Sequence, residues 1–333
     1  MNNANDTCQP SAAAAAAVST RRFPDGGAFR VEIPSVEGPG PLTAVLEEAA
    51  RFGLTIHRVS QGSGVAMLDD AQITDMLAQC RDASVELCLF LGPRATWDIG
   101  AGVLAPGSGT GARVRGADQV RYSVDDAERA VALGVRCLLV ADEGVLWTLH
   151  QMRSSGELPA GLTLKMSALS GPSNPVAFAA VQRLGADSVN VPSDLTIAQL
   201  HELRQAGGAA IDFYVEAPDG LGGFVRHHDT PAIVRAAAPV YLKFGLRNAP
   251  DLYPVGAHLL DAAVATARER VRRAHLADRL LDRHGMRELM SPPGSTEIGP
   301  LSRFAIDSPL NGTAPAGTAP AGTAPAETAG SAS

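Results

Sequence analysis

Lysine is all but missing from these 333 residues. It occurs twice, at Lys165 and Lys243, among 28 basic residues that are otherwise arginine. A chain that fills its surface with arginine has no general need of an amine, so the two exceptions mark places where an amine has a task. Lysine shifts its pKa on burial and forms Schiff bases, and arginine does neither. Cysteine is scarce too: Cys8, Cys80, Cys88 and Cys137 form no CxxC pair. Four thiolates so spaced do not suggest a zinc site or a cluster, and as small apolar fillers they fit a reducing compartment. No apolar run approaches the roughly 18 to 20 residues that a spanning helix requires. The N-terminus also lacks a charged start, an apolar core and a cleavage site. The net charge of −7 runs against general nucleic-acid binding, because phosphate-binding surfaces are basic. The expectation is a cytoplasmic protein without a membrane or nucleic-acid partner, with homo-oligomerisation left open. HExxH and GxSxG are absent, and GSGTGA (107–112) lacks the GK[ST] ending of a phosphate loop. Zincin, α/β-hydrolase and P-loop chemistry therefore have no support.

What is present is a strict alternation. Strand-like runs are predicted at FRVEIPS (29–35), LTIHRVS (54–60), VELCLFLG (85–92), CLLVAD (137–142), LTLKMS (162–167), SVNVPS (188–193), IDFYVEA (211–217) and VYLKFG (240–245). A helical segment follows each. Cap patterns mark several starts: Asp69 or Asp70, Ser123 with Asp126, Thr196 with Gln199, and Thr230 with Pro231. Eight such repeats predict a (β/α)8 TIM barrel. The alternative, a doubly wound open sheet, usually carries a GxGxxG turn after its first strand, and this chain has PSVEGPGP there. Residues 1–25 are read as a disordered arm, 26–285 as the barrel and 286–333 as a disordered tail with GTAPA repeats, since the ends have few large apolar side chains.

Alternate residues of a strand share a face. On that rule Glu32 falls with Arg30, Lys165 with Thr163, Asn190 with Ser188, Glu216 with Asp212 and Tyr214, and Lys243 with Tyr241, while the opposite faces are apolar. The polar faces are expected to point inward. Strands one, seven and eight are neighbours in a closed barrel, which would set Glu32 and Glu216 on either side of Lys243. The candidate catalytic residues are therefore Lys243, Lys165, Glu216 and Glu32. Two carboxylates beside Lys243 favour a fixed ammonium there, leaving Lys165 as the Schiff-base candidate. Candidate substrate binders are Arg247, Asn248, Arg226, Arg58, Asn190 and Arg94, the first three in glycine-rich loops after strands seven and eight, where many barrels hold phosphate. The bland alternative is a buried salt-bridge network that only holds the barrel together. No cofactor is predicted. A divalent metal on Glu32, Glu216, Asp142 or Glu143 with a histidine is allowed by residue type, but no ligand spacing points to one.

At RVEIPSVEGP (30–39), HRVSQGSG (57–64), LFLGPR (89–94), VNVPSDLT (189–196), VEAPDGLGGFVR (215–226) and YLKFGLRNAPDLYP (241–254), the chain resembles an actinobacterial group of barrel proteins named as peptidase U32 family members. The resemblance covers about 22–273 and is looser toward the characterised U32 families. It implies a barrel and a peptidase label. Several U32 members carry an iron–sulfur cluster used in hydroxylation, but their His-Gly run with closely spaced cysteines has no counterpart here. The leading expectation is a U32-like barrel enzyme acting on a small anionic substrate, a carboxylate or phosphate, at the C-terminal face. A lysine-dependent lyase or aldolase and a non-catalytic binding barrel are the alternatives.

Overall fold

The period-two runs become parallel strands in the computed structural model, which describes residues 17–92 and 113–298. The strands are β1 (Phe29–Pro34), β2 (Arg58–Ser60), β3 (Glu86–Phe90), β4 (Cys137–Val140), β5 (Thr163–Met166), β6 (Ser188–Asn190), β7 (Ala210–Glu216) and β8 (Val240–Phe244). They pair in sequence order around a closed barrel. Closure comes from β1 and β8, with Phe29 opposite Val240 and Glu32 opposite Lys243. An open doubly wound sheet has no such pairing, so the fold is a TIM barrel. Among the described residues the helices are α1 (Pro39–Phe52), α2 (Asp70–Asp82), α3 (Gly116–Leu133), α4 (Glu143–Ser155), α5 (Pro175–Arg183), α6 (Ile197–Ala206), α7 (Thr230–Ala237) and α8 (Leu260–Arg283). No helix among them is long and apolar enough to cross a membrane.

The apolar face of the strands makes the larger core. Ile33, Leu89, Leu138, Leu164, Val189 and Phe213 are fully buried, each contributing about 1.5–3 kcal/mol relative to exposure. Helix starts follow the cap chemistry where it is reciprocal: Asp69 with Gln72 opens α2, and Thr196 with Gln199 opens α6. Two starts differ. The sequence places the third helix start at Ser123, but α3 begins at Gly116, and Ser123 sits inside it, donating to the Gln119 and Gly92 carbonyls. A mid-helix serine can bond its own preceding turn, so it imitates a cap. Thr230 lies in the first turn of α7, its hydroxyl donating to the His227 carbonyl instead of accepting a backbone N–H.

The folded unit is longer at both ends than 26–285. Ser19 bonds the Arg235 and Ala238 carbonyls, Phe23 packs edge-on against Tyr241, and Met290 bridges to Phe29. Ile298 joins Phe23, Ala210 and Tyr241 in one cluster. Together these stretches close the N-terminal end of the barrel. Composition misses them because one phenylalanine and one isoleucine in polar sequence look like nothing, yet each fills a space the barrel provides. The outer parts of the expected tails, 1–16 and 299–333, lie outside the described residues.

Candidate active site

The inward faces build the site from the bottom up. At the N-terminal end Arg30 donates to Tyr241 Oη (2.8 Å), Asp25 (2.7 Å), Ser291 Oγ (3.1 Å) and the Glu297 carbonyl (2.8 Å). His57 closes the same end: its Nδ1 accepts from Val31 N–H, so Nε2 carries the proton and donates to the Ser291 carbonyl (2.9 Å). Burial pulls its pKa down to about 4.

Arg58 lies over the Tyr241 ring at 3.8 Å and is bound by Glu86, by Asp212 (3.4 Å) and by Glu32 (3.5 Å). Lys165 contacts Glu32 and lies 3.0 Å from Asp212, which also accepts from Ser188. All of Arg58, Glu32, Lys165 and Asp212 are fully buried. Burial opposes the charge on Glu32, but Lys165, Lys243 and Arg58 outweigh it and hold the carboxyl well below the usual range. Burial likewise opposes the Lys165 ammonium, and Asp212 and Glu32 outweigh it and push its pKa up. Lys165 is thus a fixed ammonium.

Lys243 stands at the next level toward the C-terminal end. Its Nζ donates to Asn190 Oδ1 (2.5 Å) and lies 3.4 Å from Glu32 and 4.2 Å from the Tyr214 ring centroid. Asn190 is held in turn by its donation to the Met166 carbonyl (2.6 Å), which leaves its oxygen to the amine. Burial lowers the Lys243 pKa, Glu32 raises it and the neighbouring Lys165 charge lowers it again, leaving it at about 8. Above lies a cavity of about 400 Å³ at the C-terminal ends of the strands, its lining including Ser60, Ser167, Asn190, Tyr214, Lys243 and Arg270. Sequence parity assigns amine chemistry to Lys165 and a fixed charge to Lys243. In the structure the second carboxylate beside the lysines is Asp212, and it pairs with Lys165 rather than with Lys243.

Glu216 is not that carboxylate. Tyr214 pairs with Lys243, but Glu216 pairs with Phe244, a bulge that sets two residues of β7 against one of β8. The extra residue flips the face. Glu216 accepts from His227 (3.2 Å) and the Arg247 N–H (3.1 Å) and lies 3.6 Å from Arg273 of α8. The loops after β7 and β8 do line the cavity, through residues such as Asp219, Gly220, Gly245 and Asp251, but Arg226, Arg247 and Asn248 are not among the lining residues. Arg226 donates to the Ser193 and Leu195 carbonyls and to Asp229, while exposed Arg247 pairs with Asp219 (3.5 Å), which also accepts the Asn248 N–H. Arg58 lies below the amine in the charge cluster, and Arg94 falls outside the described residues. Sequence parity thus brings together Glu32, Lys165, Asn190 and Lys243 and also turns Asp212 and Tyr214 inward, though not as candidates, and the structure adds Arg270. A signal for Arg270 exists: in α8 it belongs to the buried stripe Ala263, Ala267, Arg270, Val271, Ala274.

The candidate metal carboxylates do not gather: Asp142 caps α4, Glu143 pairs with Arg113, and Glu32 and Glu216 face different sides of the wall. Among the described residues no group of His, Cys, Asp or Glu has the geometry to hold a metal ion. Among the described cysteines, Cys88 faces Cys137 across β3 and β4 while Cys80 lies on α2.

No family model matches the chain, and no curated protein matches it. Among solved structures it is similar to the YdjI aldolase of Escherichia coli K12 at 14% identity, covering 78% of this chain and 91% of that one with a TM-score of 0.45. It is also similar to a U32 peptidase at 18% identity, covering 65% and 78% with a TM-score of 0.40. A thiamine phosphate pyrophosphorylase from Pyrococcus furiosus is similar at 8% identity, 77% and 98% coverage and a TM-score of 0.43. Likeness at this level says nothing about activity, and the fold assignment rests on the strand pairing.

Proposed function

We propose that the chain is a Schiff-base enzyme of the lyase or aldolase type, with Lys243 as the amine that condenses with a small carbonyl compound at the C-terminal face of the barrel. The observation that carries this is the contrast between the two lysines: only Lys243 lines the cavity, and its pKa lies near 8. A lysine beside another cation is a known way to make an amine nucleophilic near neutral pH. At pH 7 about a tenth of Lys243 is neutral on that value.

The condensation balances as follows. The ammonium loses one proton to water in the cavity, and its lone pair forms the C–N bond while the carbonyl π pair moves to oxygen. One proton then passes from nitrogen to that oxygen, a second returns from solvent, and water leaves to give the iminium. The iminium stabilises a carbanion at the adjacent carbon, which is what C–C or C–H cleavage needs. Tyr214 lines the same cavity, and burial raises its pKa, so it stays a hydroxyl donor. The U32 resemblance supports a barrel scaffold, and among the described residues no histidine or cysteine lines the cavity.

Incubation with small aldehydes, ketones and oxo acids in the presence of cyanoborohydride tests the proposal. A stable adduct mapped to Lys243 by mass spectrometry, and absent from Lys243→Met, is expected. An adduct on Lys165, or none on either lysine, overturns it.

A further inference from the structure

Arg270 carries a charge in the cavity wall with no carboxylate within 4.0 Å among the described residues, Glu37 acting on it only from farther away. It is 5% exposed and lines the same cavity as Lys243. Its Nη1 makes long bonds to the Ser35 carbonyl (3.4 Å) and Thr266 Oγ1 (3.3 Å), and its Nε has no hydrogen-bond partner among the described residues. Arg30, Arg58 and Lys165 each hold a carboxylate within 4.0 Å, and among the described residues Arg270 has none at that range. The acid in its neighbourhood, Glu37, is committed elsewhere. It accepts from the Gly62 and Ser63 N–H groups (2.8 and 2.9 Å); burial raises its pKa, and those bonds and the Arg270 charge pull it back down. An arginine stays protonated under any ordinary condition, and an unpaired buried guanidinium is strongly unfavourable. A cation in that state, facing a cavity, is built for an anion from outside.

The anion and the amine share a neighbour. The Tyr214 ring lies 4.2 Å from Lys243 Nζ, and its hydroxyl is within the field of Arg270. Ser35, whose carbonyl faces Arg270, is held in the left-handed region at φ 59, a conformation that non-glycine residues adopt seldom and often beside functional sites. The cavity, at about 400 Å³, is at the small end of the range for ligand pockets.

We infer that the substrate is a short oxo acid whose carboxylate is bound by Arg270 while its carbonyl carbon meets Lys243. This rests on the Lys243 proposal for the covalent step, but the carboxylate site has its own readout. Calorimetry with pyruvate and acetoacetate, and with neutral hydroxyacetone as comparator, is run on the wild type, Lys243→Met, Arg270→Gln and Arg270→Lys. Saturable binding of at least one acid is expected in the wild type and in Lys243→Met, with hydroxyacetone at least tenfold weaker. Arg270→Gln should weaken the acid at least tenfold and leave hydroxyacetone within twofold, and Arg270→Lys should recover most of the loss. No binding of either acid to the wild type, or equal binding by Arg270→Gln and the wild type, overturns the inference. If the acids bind in this pattern but cyanoborohydride traps nothing, the carboxylate site stands and the Schiff base falls.

Discussion

Replacing Lys165 with methionine tests whether the buried cluster both supports the barrel and sets the amine. The cluster holds three cations, Arg58, Lys165 and Lys243, against three carboxylates, Glu32, Asp212 and Glu86. Removing Lys165 leaves Glu32 with Lys243 at 3.4 Å and Arg58 at 3.5 Å, and leaves Asp212 with Arg58 at 3.4 Å and Ser188. Breaking a buried pair by removing one partner costs about 3–5 kcal/mol, and the remaining contacts to Arg58 put this case toward the lower end. Burial, the main cause of the lowered Lys243 pKa, remains, but the same change removes the Lys165 charge that adds to it and leaves Glu32 to act on Lys243 more strongly. The Lys243 pKa should rise from about 8 toward the ordinary value of about 10.4. Each unit of that rise cuts the neutral amine at pH 7 about tenfold. Urea unfolding reads the first effect, and the pH dependence of cyanoborohydride trapping reads the second. The double variant Lys165→Met with Glu32→Gln should recover part of the stability, since it removes the stranded charge. A Lys165→Met protein that unfolds within about 1 kcal/mol of the wild type and traps with an unchanged pH midpoint refutes the reasoning.

In the wild type, the trapping rate at subsaturating carbonyl should rise with pH through a midpoint near 8 and then level off, whereas a midpoint above 10 would remove the lowered amine. Glu216→Gln should change trapping less than twofold, because the bulge at Tyr214/Glu216 turns that carboxylate toward His227 and Arg273; a loss above tenfold would return Glu216 to the site. His57, neutral in the fold with its pKa near 4, binds no proton where an unfolded histidine of pKa about 6.5 does. Its contribution is therefore present above pH 6.5 and is lost as pH falls toward 4, by about 3 kcal/mol in all. Unfolding midpoints measured across that window in the wild type and in His57→Gln check it, since the variant should show the shallower fall.

The barrel was legible because its signal is repeated: eight apolar alternations, each followed by a helix, leave few architectures that bury every apolar face. Parity also placed Glu32, Lys165, Asn190 and Lys243 on one surface, since each lies in a regular stretch of strand. It failed at Glu216, because a bulge is a property of two strands paired, and β7 alone carries no mark of the residue it will leave unpaired. Arg270 failed for another reason. Beside Arg268, Arg272 and Arg273 it reads as one more surface arginine, and only the stripe of small residues around it says that this one turns inward. Asp212 shares a face with Tyr214 in the sequence, but that it would pair with Lys165 across the barrel depends on stagger between strands, which no single strand encodes.

The two lysines show why scarcity pointed to a buried pair and could not rank them. Both are buried, and burial alone would lower both. Lys165 is rescued by two carboxylates, and in satisfying them it uses up the negative charge that would otherwise hold Lys243 as a firm ammonium. The cluster is therefore more than a brace. A network in which every cation had its own carboxylate would stabilise the barrel as well and leave no neutral amine. This one leaves Lys243 sharing Glu32 with Lys165 and Arg58, next to a cavity whose remaining cation, Arg270, is also short of an anion among the described residues. A substrate bearing both a carbonyl and a carboxylate would relieve both at once.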